Sequence, residues 1–140
     1  MGDRMRSVLS KFGVGSRNDS VWKRGEKAAE RVMRRAGCRV IERNLRIPPG
    51  EIDLLCRERR SGQFVLVEVK ARMADGSSRR PEDSITAAKK RKLLLLAKAL
   101  MRDEEVRGSG IRIDVVAVEF VSGQWRPAAT RHYERAISSD

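Results

Sequence analysis

The sequence holds one histidine, two cysteines and only 4% aromatic residues, and its 19 acidic residues are outnumbered by 31 lysines and arginines. Each shortage narrows the function. His132 stands alone in a polar C-terminal stretch, which gives little support to a histidine-based nucleophilic triad or acid–base pair. Cys38 and Cys56 are far apart, with neither CxxC nor histidine spacing, so a structural zinc site is not expected. Both fit strand positions and read as buried thiols in a reducing cytoplasm. The scarcity of aromatics argues against a base-stacking single-strand binder of the OB or RRM type. The longest apolar run, Leu93 to Ala97, is far too short to span a bilayer. Met1-Gly2-Asp3-Arg4 opens on charge and no apolar segment precedes the charged stretch at 23–35, so neither a signal peptide nor a membrane role is expected.

What is abundant is positive charge. The 140 residues suffice for one domain, and their net charge of +12 points to a polyanionic partner. The excess is uneven. Residues 1–48 carry 13 basic and 5 acidic groups and residues 76–107 carry 9 and 5, whereas 49–75 and 108–140 are balanced. A phosphodiester-cleaving site needs such an arrangement, with carboxylates for a metal and cations around them for the nucleic-acid backbone.

The balanced middle segment carries the chemistry. Ile52-Asp53-Leu54-Leu55-Cys56 and Phe64-Val65-Leu66-Val67-Glu68-Val69 flank a polar, glycine-containing connection and read as a β-hairpin. Alternation puts Glu51, Asp53 and Leu55 on one side of the first strand, and Phe64, Leu66, Glu68 and Lys70 on one side of the second. A turn centred on Arg60-Ser61 sets Asp53 opposite Glu68; a turn centred on Ser61-Gly62 sets it opposite Lys70. Carboxylates inside such apolar strands cost several kcal/mol unless paired or bound to a cation. Asp53, Glu68 and Lys70 therefore make either a small metal site with a cation beside it or an ordinary cross-strand ion pair.

Around the hairpin, residues 1–19 read as a mobile basic arm, residues 20–126 as the domain and 127–140 as a weakly structured tail. A helix capped by Asp19 or Ser20 runs to about Ala36, with Trp22, Ala29, Val32, Met33 and Ala36 on its apolar side and Gly37 at its end. Glu26 sits at the edge of that face. Cys38 to Leu45 is the first strand, and Ile47-Pro48-Pro49-Gly50 turns the chain into the hairpin. Arg72 to Asp83 is a loop whose Arg72, Arg79 and Arg80 approach the carboxylates if it folds over them. A second helix starts at Asp83 or Ser84 and reaches about Met101, and Lys89 falls on its inward stripe, as a site residue or as a lysine snorkelling to water. Ile111 to Val121 is apolar on both faces and suits a central strand. Gln124 to Arg126 reads as an edge strand stopped by Pro127.

The pattern Asp53, then Glu68-Val69-Lys70, resembles the PD-(D/E)xK nuclease signature. The order α-β-β-β-α-β resembles the restriction-endonuclease-like core, an α/β fold with a mixed sheet flanked by helices. At the level of motifs the chain resembles the YraN-like family of uncharacterised bacterial proteins, itself similar to archaeal Holliday junction resolvases. The resemblance rests on Arg24-Gly25-Glu26 with Ala29, Arg43-Asn44-Leu45-Arg46, Gly50-Glu51-Ile52-Asp53-Leu54, Val67-Glu68-Val69-Lys70-Ala71-Arg72, Lys89 and Asp114-Val115-Val116-Ala117. It implies Mg2+- or Mn2+-dependent DNA hydrolysis, with branched or junction DNA as a candidate substrate. Asp53, Glu68, the Val69 carbonyl and Glu26 would then serve the metal. Lys70 would orient or deprotonate the attacking water, and Lys89 would face the scissile phosphate. Arg24, Arg46 and Arg72 would join Lys89 on the nucleic acid, and Glu51 would stand behind Asp53. The family usually has threonine at Ala71, a difference on the face away from Lys70. Resolvases of similar fold act as dimers, which makes a homodimer a candidate by analogy alone; the sequence does not fix the oligomeric state. The alternatives are a nucleic-acid-binding module with this fold and no chemistry, and a basic scaffold whose carboxylates only pair with neighbouring cations.

Overall fold

A computed structural model describes residues 20–139; the basic arm at 1–19 lies outside the described residues. Helix α1 (Ser20–Arg35) buries Trp22, Gly25, Ala28, Ala29 and Met33 and turns its lysines and most of its arginines to solvent. Arg34 and Arg35 in its last turn complement the negative end of the dipole. Gly37, at φ +87°, closes it in the left-handed conformation that glycine adopts without strain. Strands β1 (Cys38–Ile47), β2 (Gly50–Glu58) and β3 (Phe64–Met73) follow as an antiparallel meander. Leu54 faces Val67 and Leu55 faces Leu66, so of the two hairpin registers the one centred on Arg60-Ser61 is found. One step beyond the last ladder pair, it sets Asp53 opposite Glu68.

The chain then passes through a short 3-10 turn (Pro81–Ser84), helix α2 (Ala87–Leu100) and a brief helix α3 (Glu104–Ser109) to β4 (Ile111–Phe120), which runs parallel to β3. Strand β5 (Ala129–Ile137) pairs antiparallel with β4 and completes a five-stranded mixed sheet in the order β1-β2-β3-β4-β5. This is the α/β arrangement expected from the element order, a mixed sheet flanked by helices, with β5 added at its edge. Helices α2 and α3 seal one face over Leu55, Leu66, Leu93, Leu96, Leu100 and Ile113. Helix α1 seals the other over Leu54, Val65, Val67, Val116 and Phe120. Strand β4 is covered on both sides, as its unbroken apolar run requires.

Two expectations are corrected. Helix α2 begins at Ala87 rather than at Asp83 or Ser84, because those residues stabilise the preceding turn. Asp83 accepts from the Arg80 N–H at 2.8 Å and the Ser84 hydroxyl donates to the Pro81 carbonyl at 2.8 Å, leaving Thr86 as the cap. The tail at 127–140 contains strand β5, whereas Gln124 to Arg126 lie in the bend before it. Only Ile137 of β5 is buried. Its place is held by ladder bonds and ion pairs, which leave no apolar periodicity to read. Arg131 reaches both Glu82, at 2.8 Å, and Glu119, at 2.9 Å.

The Arg131–Glu82 contact makes a pH prediction. With Arg131 and the Tyr133 hydroxyl beside it, the Glu82 carboxyl is drawn from its ordinary 4.5 down to about 2. A lowered carboxylate stabilises the fold above its unfolded pKa and loses that contribution as pH falls through the folded one. Urea titrations should therefore show wild type losing stability between pH 4.5 and about 2, and Glu82→Gln should lack that part of the loss.

At Gly25, α1 lies so close to β3 that an added Cβ would sit 2.3 Å from the Ala71 Cβ. Alanine gains about 1 kcal/mol of helix propensity over glycine, but overpacking against backbone-anchored atoms costs about 1–3 kcal/mol. Gly25→Ala should be net destabilising by urea denaturation despite its better propensity.

Candidate active site

The hairpin register brings Asp53 of β2 and Glu68 of β3 side by side, 7% and 4% exposed. The Val69 N–H donates to Asp53 Oδ2 at 2.8 Å and fixes that side chain. Burial raises the Asp53 carboxyl well above its ordinary range, and the adjoining Glu68 raises it further, while the Val69 N–H and Lys89 pull the other way. Two carboxyl groups thus share one buried place that favours a proton or a cation. Lys89 Nζ lies 3.1 Å from Glu68 Oε2. That is within ion-pair reach but off a hydrogen-bonding direction, so this buried oxygen has no hydrogen-bond partner. A carboxyl oxygen without a hydrogen bond, beside a second carboxyl group, is a donor set suited to a hard divalent cation.

The pair lies in the wall of a cleft of about 780 Å³. Lys70 and Arg72 of β3, Arg46 of β1, and Lys89 and Lys92 of α2 line it, together with Glu51, Trp22 and the Pro48-Pro49-Gly50 turn. Five cations therefore ring the acid pair. Arg72 is braced by Asp75 at 2.7 Å. A Cβ at Gly50 would stand 2.7 Å from Lys92 Cε, the far end of a flexible side chain that can swing aside. Arg46 is paired only loosely, 3.9 Å from Glu51, with 63% of its side chain exposed.

Other candidates lie elsewhere. Glu26 does not line the cleft. It is buried under α1, where it accepts from Asn44 Nδ2 at 2.9 Å and burial raises its pKa. Asn44, at φ +49°, falls between the ladder pairs Arg43–Leu54 and Leu45–Ile52 and so stands opposite Asp53. Glu26 is thus linked to the neighbourhood of Asp53 through Asn44. Arg24 points away from the acid pair, stacking on Phe120 and Trp125 at 4.3 Å each and donating to the Gln124 and Trp125 carbonyls. Arg79 and Arg80 are exposed and form no part of the cleft wall. Among the described residues no three Asp, Glu, His or Cys side chains converge to cage a metal by themselves. A cation here would complete its shell with backbone oxygen and water, as magnesium commonly does.

The profile described as "Uncharacterised protein family UPF0102" matches residues 25–118, most of the chain. The chain belongs to the UPF0102 family. A UPF0102 protein of Rhodopirellula baltica is 32% identical over 140 residues, covering 99% of this chain and 83% of its own length. One of Pelotomaculum thermopropionicum is 37% identical over 113 residues, covering 81% and 91%. One of Desulfosudis oleivorans is 39% identical over 97 residues, covering 69% and 76%. Among solved structures, "The structure of Pyrococcus Furiosus SfsA in complex with Ca2+" is similar at TM-score 0.38 and 14% identity, over 83% of this chain and 64% of that one. That likeness is too slight to speak for function.

The UPF0102 match spans Glu26, Asp53, Glu68, Lys70 and Lys89 and stops before Trp125 and β5. Three features of this UPF0102 chain escaped sequence reasoning. Lys92 follows Lys89 by three residues and shares its side of α2, a spacing that could have identified it. Trp22 reads as core and lines the cleft as well. The third is a buried network on β4 and β5. Asp114, fully buried, accepts from Arg112 Nε at 3.0 Å and the Arg135 N–H at 3.1 Å, and pairs with His132 Nε2 at 2.8 Å. Arg112 extends it to Glu58 at 3.0 Å. His132 therefore has a partner after all, one that ties strands together and lies outside the cleft.

Proposed function

We propose that this UPF0102 protein is a divalent-metal-dependent nuclease that hydrolyses DNA phosphodiesters in the cytoplasm, with branched or flapped DNA as the favoured substrate class. The observation that carries the reading is the buried Asp53–Glu68 pair, whose Glu68 Oε2 makes no hydrogen bond and lies 3.1 Å from Lys89 Nζ, set in a cleft lined by five cations. Asp53, Glu68 and the Val69 carbonyl would hold Mg2+ or Mn2+. When bound, the metal supplies Lewis-acid polarisation of the phosphoryl group and a water of lowered pKa. Lys70, half-buried on the strand that carries Glu68, orients the attacking water and offsets negative charge as it grows on the phosphorus oxygens. Lys89, across the pair, faces the scissile phosphate. Arg46, Arg72 and Lys92 hold the flanking backbone, which positions the strand without reading its sequence. Glu26, through Asn44, steadies the β1 side of the pair.

A second reading, a binding module without chemistry, draws on the convergence of only two carboxylates and on the separation of Glu26 from them. Gel assays on linear duplex, flap, single-stranded and four-way-junction DNA, with Mg2+, Mn2+ or EDTA, separate the two. The nuclease reading expects metal-dependent cuts that fall by about 10³-fold in Lys70→Ala. Salt-sensitive binding of all four DNAs by wild type with no cuts in either metal would favour the binding module.

A further inference from the structure

A second basic groove, of about 680 Å³, lies between α1 and the bend that joins β4 to β5. Its walls carry Arg24, Lys27, Arg31, Arg35 and Arg126 and no carboxylate. Lys27, Arg31 and Arg35 follow one another at four-residue intervals, about 6 Å of helix axis each, and so form one exposed row. Of the two acids adjacent to that row in sequence, Glu30 is taken by Arg34 and Arg43, and Glu26 is buried with Asn44. The three cations are left without an ion-pair partner among the described residues. At one end of the groove stands Trp125, 77% exposed.

An indole held in solvent forgoes the burial that its size offers, so its position needs a reason. It is not loose. Arg24 is wedged between Phe120 and the Trp125 ring, 4.3 Å from each, and donates to the Gln124 carbonyl at 2.8 Å and the Trp125 carbonyl at 2.7 Å. Arg24 is thus a positioning residue that presents the indole beside the row of cations. A row of cations next to a fixed aromatic face is what an unpaired nucleic-acid strand requires, phosphates along the row and one base on the ring. A duplex offers no free base face, and the low aromatic content excludes a stacking platform for several bases while one ring suffices for one.

We propose that this groove binds a single-stranded segment of nucleic acid, with its phosphates on Lys27, Arg31, Arg35 and Arg126 and a base stacked on Trp125. The first turns of α1 separate the groove from the cleft, since Trp22 lines the cleft whereas Arg24 and Lys27 line the groove. A strand leaving the acid pair reaches the groove by crossing that helix. The substrate class is then DNA with an unpaired arm beside the duplex to be cut. This deepens the nuclease reading and rests on it for nucleic acid as the partner.

The test measures fluorescence anisotropy of a labelled 12-nucleotide thymidine oligomer and of a blunt duplex binding the full chain in EDTA, over a range of salt. Trp125→Ala should weaken single-strand binding about tenfold or more, with Trp125→Phe close to wild type. Lys27→Gln/Arg31→Gln/Arg35→Gln should reduce the logarithmic salt slope by about 2. Duplex affinity should respond less to Trp125→Ala than single-strand affinity does. Single-strand affinity unmoved by Trp125→Ala, equal losses for both DNAs, or equal competition from a poly-glutamate peptide would overturn the proposal. Cleavage assayed separately keeps the two readings apart. Groove binding without cutting defeats only the hydrolase, and cutting with unmoved single-strand binding defeats only the groove.

Discussion

Asp53→Asn should abolish metal-dependent cleavage and, in EDTA, leave the protein as stable as wild type or more so. The amide keeps an acceptor for the Val69 N–H that holds Asp53 at 2.8 Å, so the backbone geometry survives. It removes one of two carboxyl groups from a buried place and leaves Glu68 beside Lys89. In metal-free wild type the raised Asp53 pKa means that the folded chain binds more protons than the unfolded one above the ordinary value of 3.8. Stability from this group therefore falls as pH rises through and beyond that value. The substitution removes that penalty, so the variant should be at least as stable as wild type near neutral pH. With metal present the order reverses. Ligand at 100 times its dissociation constant stabilises the folded state by about 2.7 kcal/mol, and Asp53→Asn should forgo most of that rise. Cleavage should fall by at least about 10³-fold. An EDTA stability well below wild type would show that the pair holds the sheet together rather than waiting for a cation.

The second large effect concerns Asp114. It is fully buried and satisfied by Arg112, His132 and the Arg135 N–H. Such surroundings hold its carboxyl below the ordinary range against the opposing effect of burial. Asp114→Ala strands the Arg112 guanidinium, only 4% exposed, and should cost about 3–5 kcal/mol, the range for breaking a buried ion pair from one side. That is a large part of a total stability of about 5–15 kcal/mol. The double change Arg112→Met/Asp114→Leu should recover much of the loss, because both fully buried charges go together and Glu58, 23% exposed, can turn to water. Urea unfolding curves decide it. A loss under about 1 kcal/mol for Asp114→Ala would mean that Arg112 finds water or Glu58 sufficient.

The central hairpin was legible because a strand's period of two lets Asp53, Glu68 and Lys70 be sorted by face from their numbers alone. Sequence left two registers open, and only the folded ladder chose Asp53 against Glu68 over Asp53 against Lys70. Lys89 was legible for a similar reason, four residues from both Ile85 and Leu93 on one helical stripe. Arg24 was not. The family resemblance set it on the nucleic acid, whereas its partners Phe120 and Trp125 lie about a hundred residues further along the chain, a contact that no local pattern encodes. Strand β5 failed for a different cause. An edge strand held by Arg131, His132 and backbone ladders buries little apolar surface, and periodicity reports burial. The Asp114 network combines both difficulties, since its charges are spaced like solvent-facing residues and become interior only when β5 closes over β4.

The most direct test of the account is one Mn2+ titration read two ways, by the melting temperature of the protein and by single-turnover cutting of a labelled flap duplex, for wild type and Asp53→Asn together. In wild type both signals should rise with a common midpoint and vanish in EDTA, and in Asp53→Asn both should stay at baseline. Cutting that persists in the variant or in EDTA would contradict the assignment of the Asp53–Glu68 pair as the metal-binding centre of a nuclease.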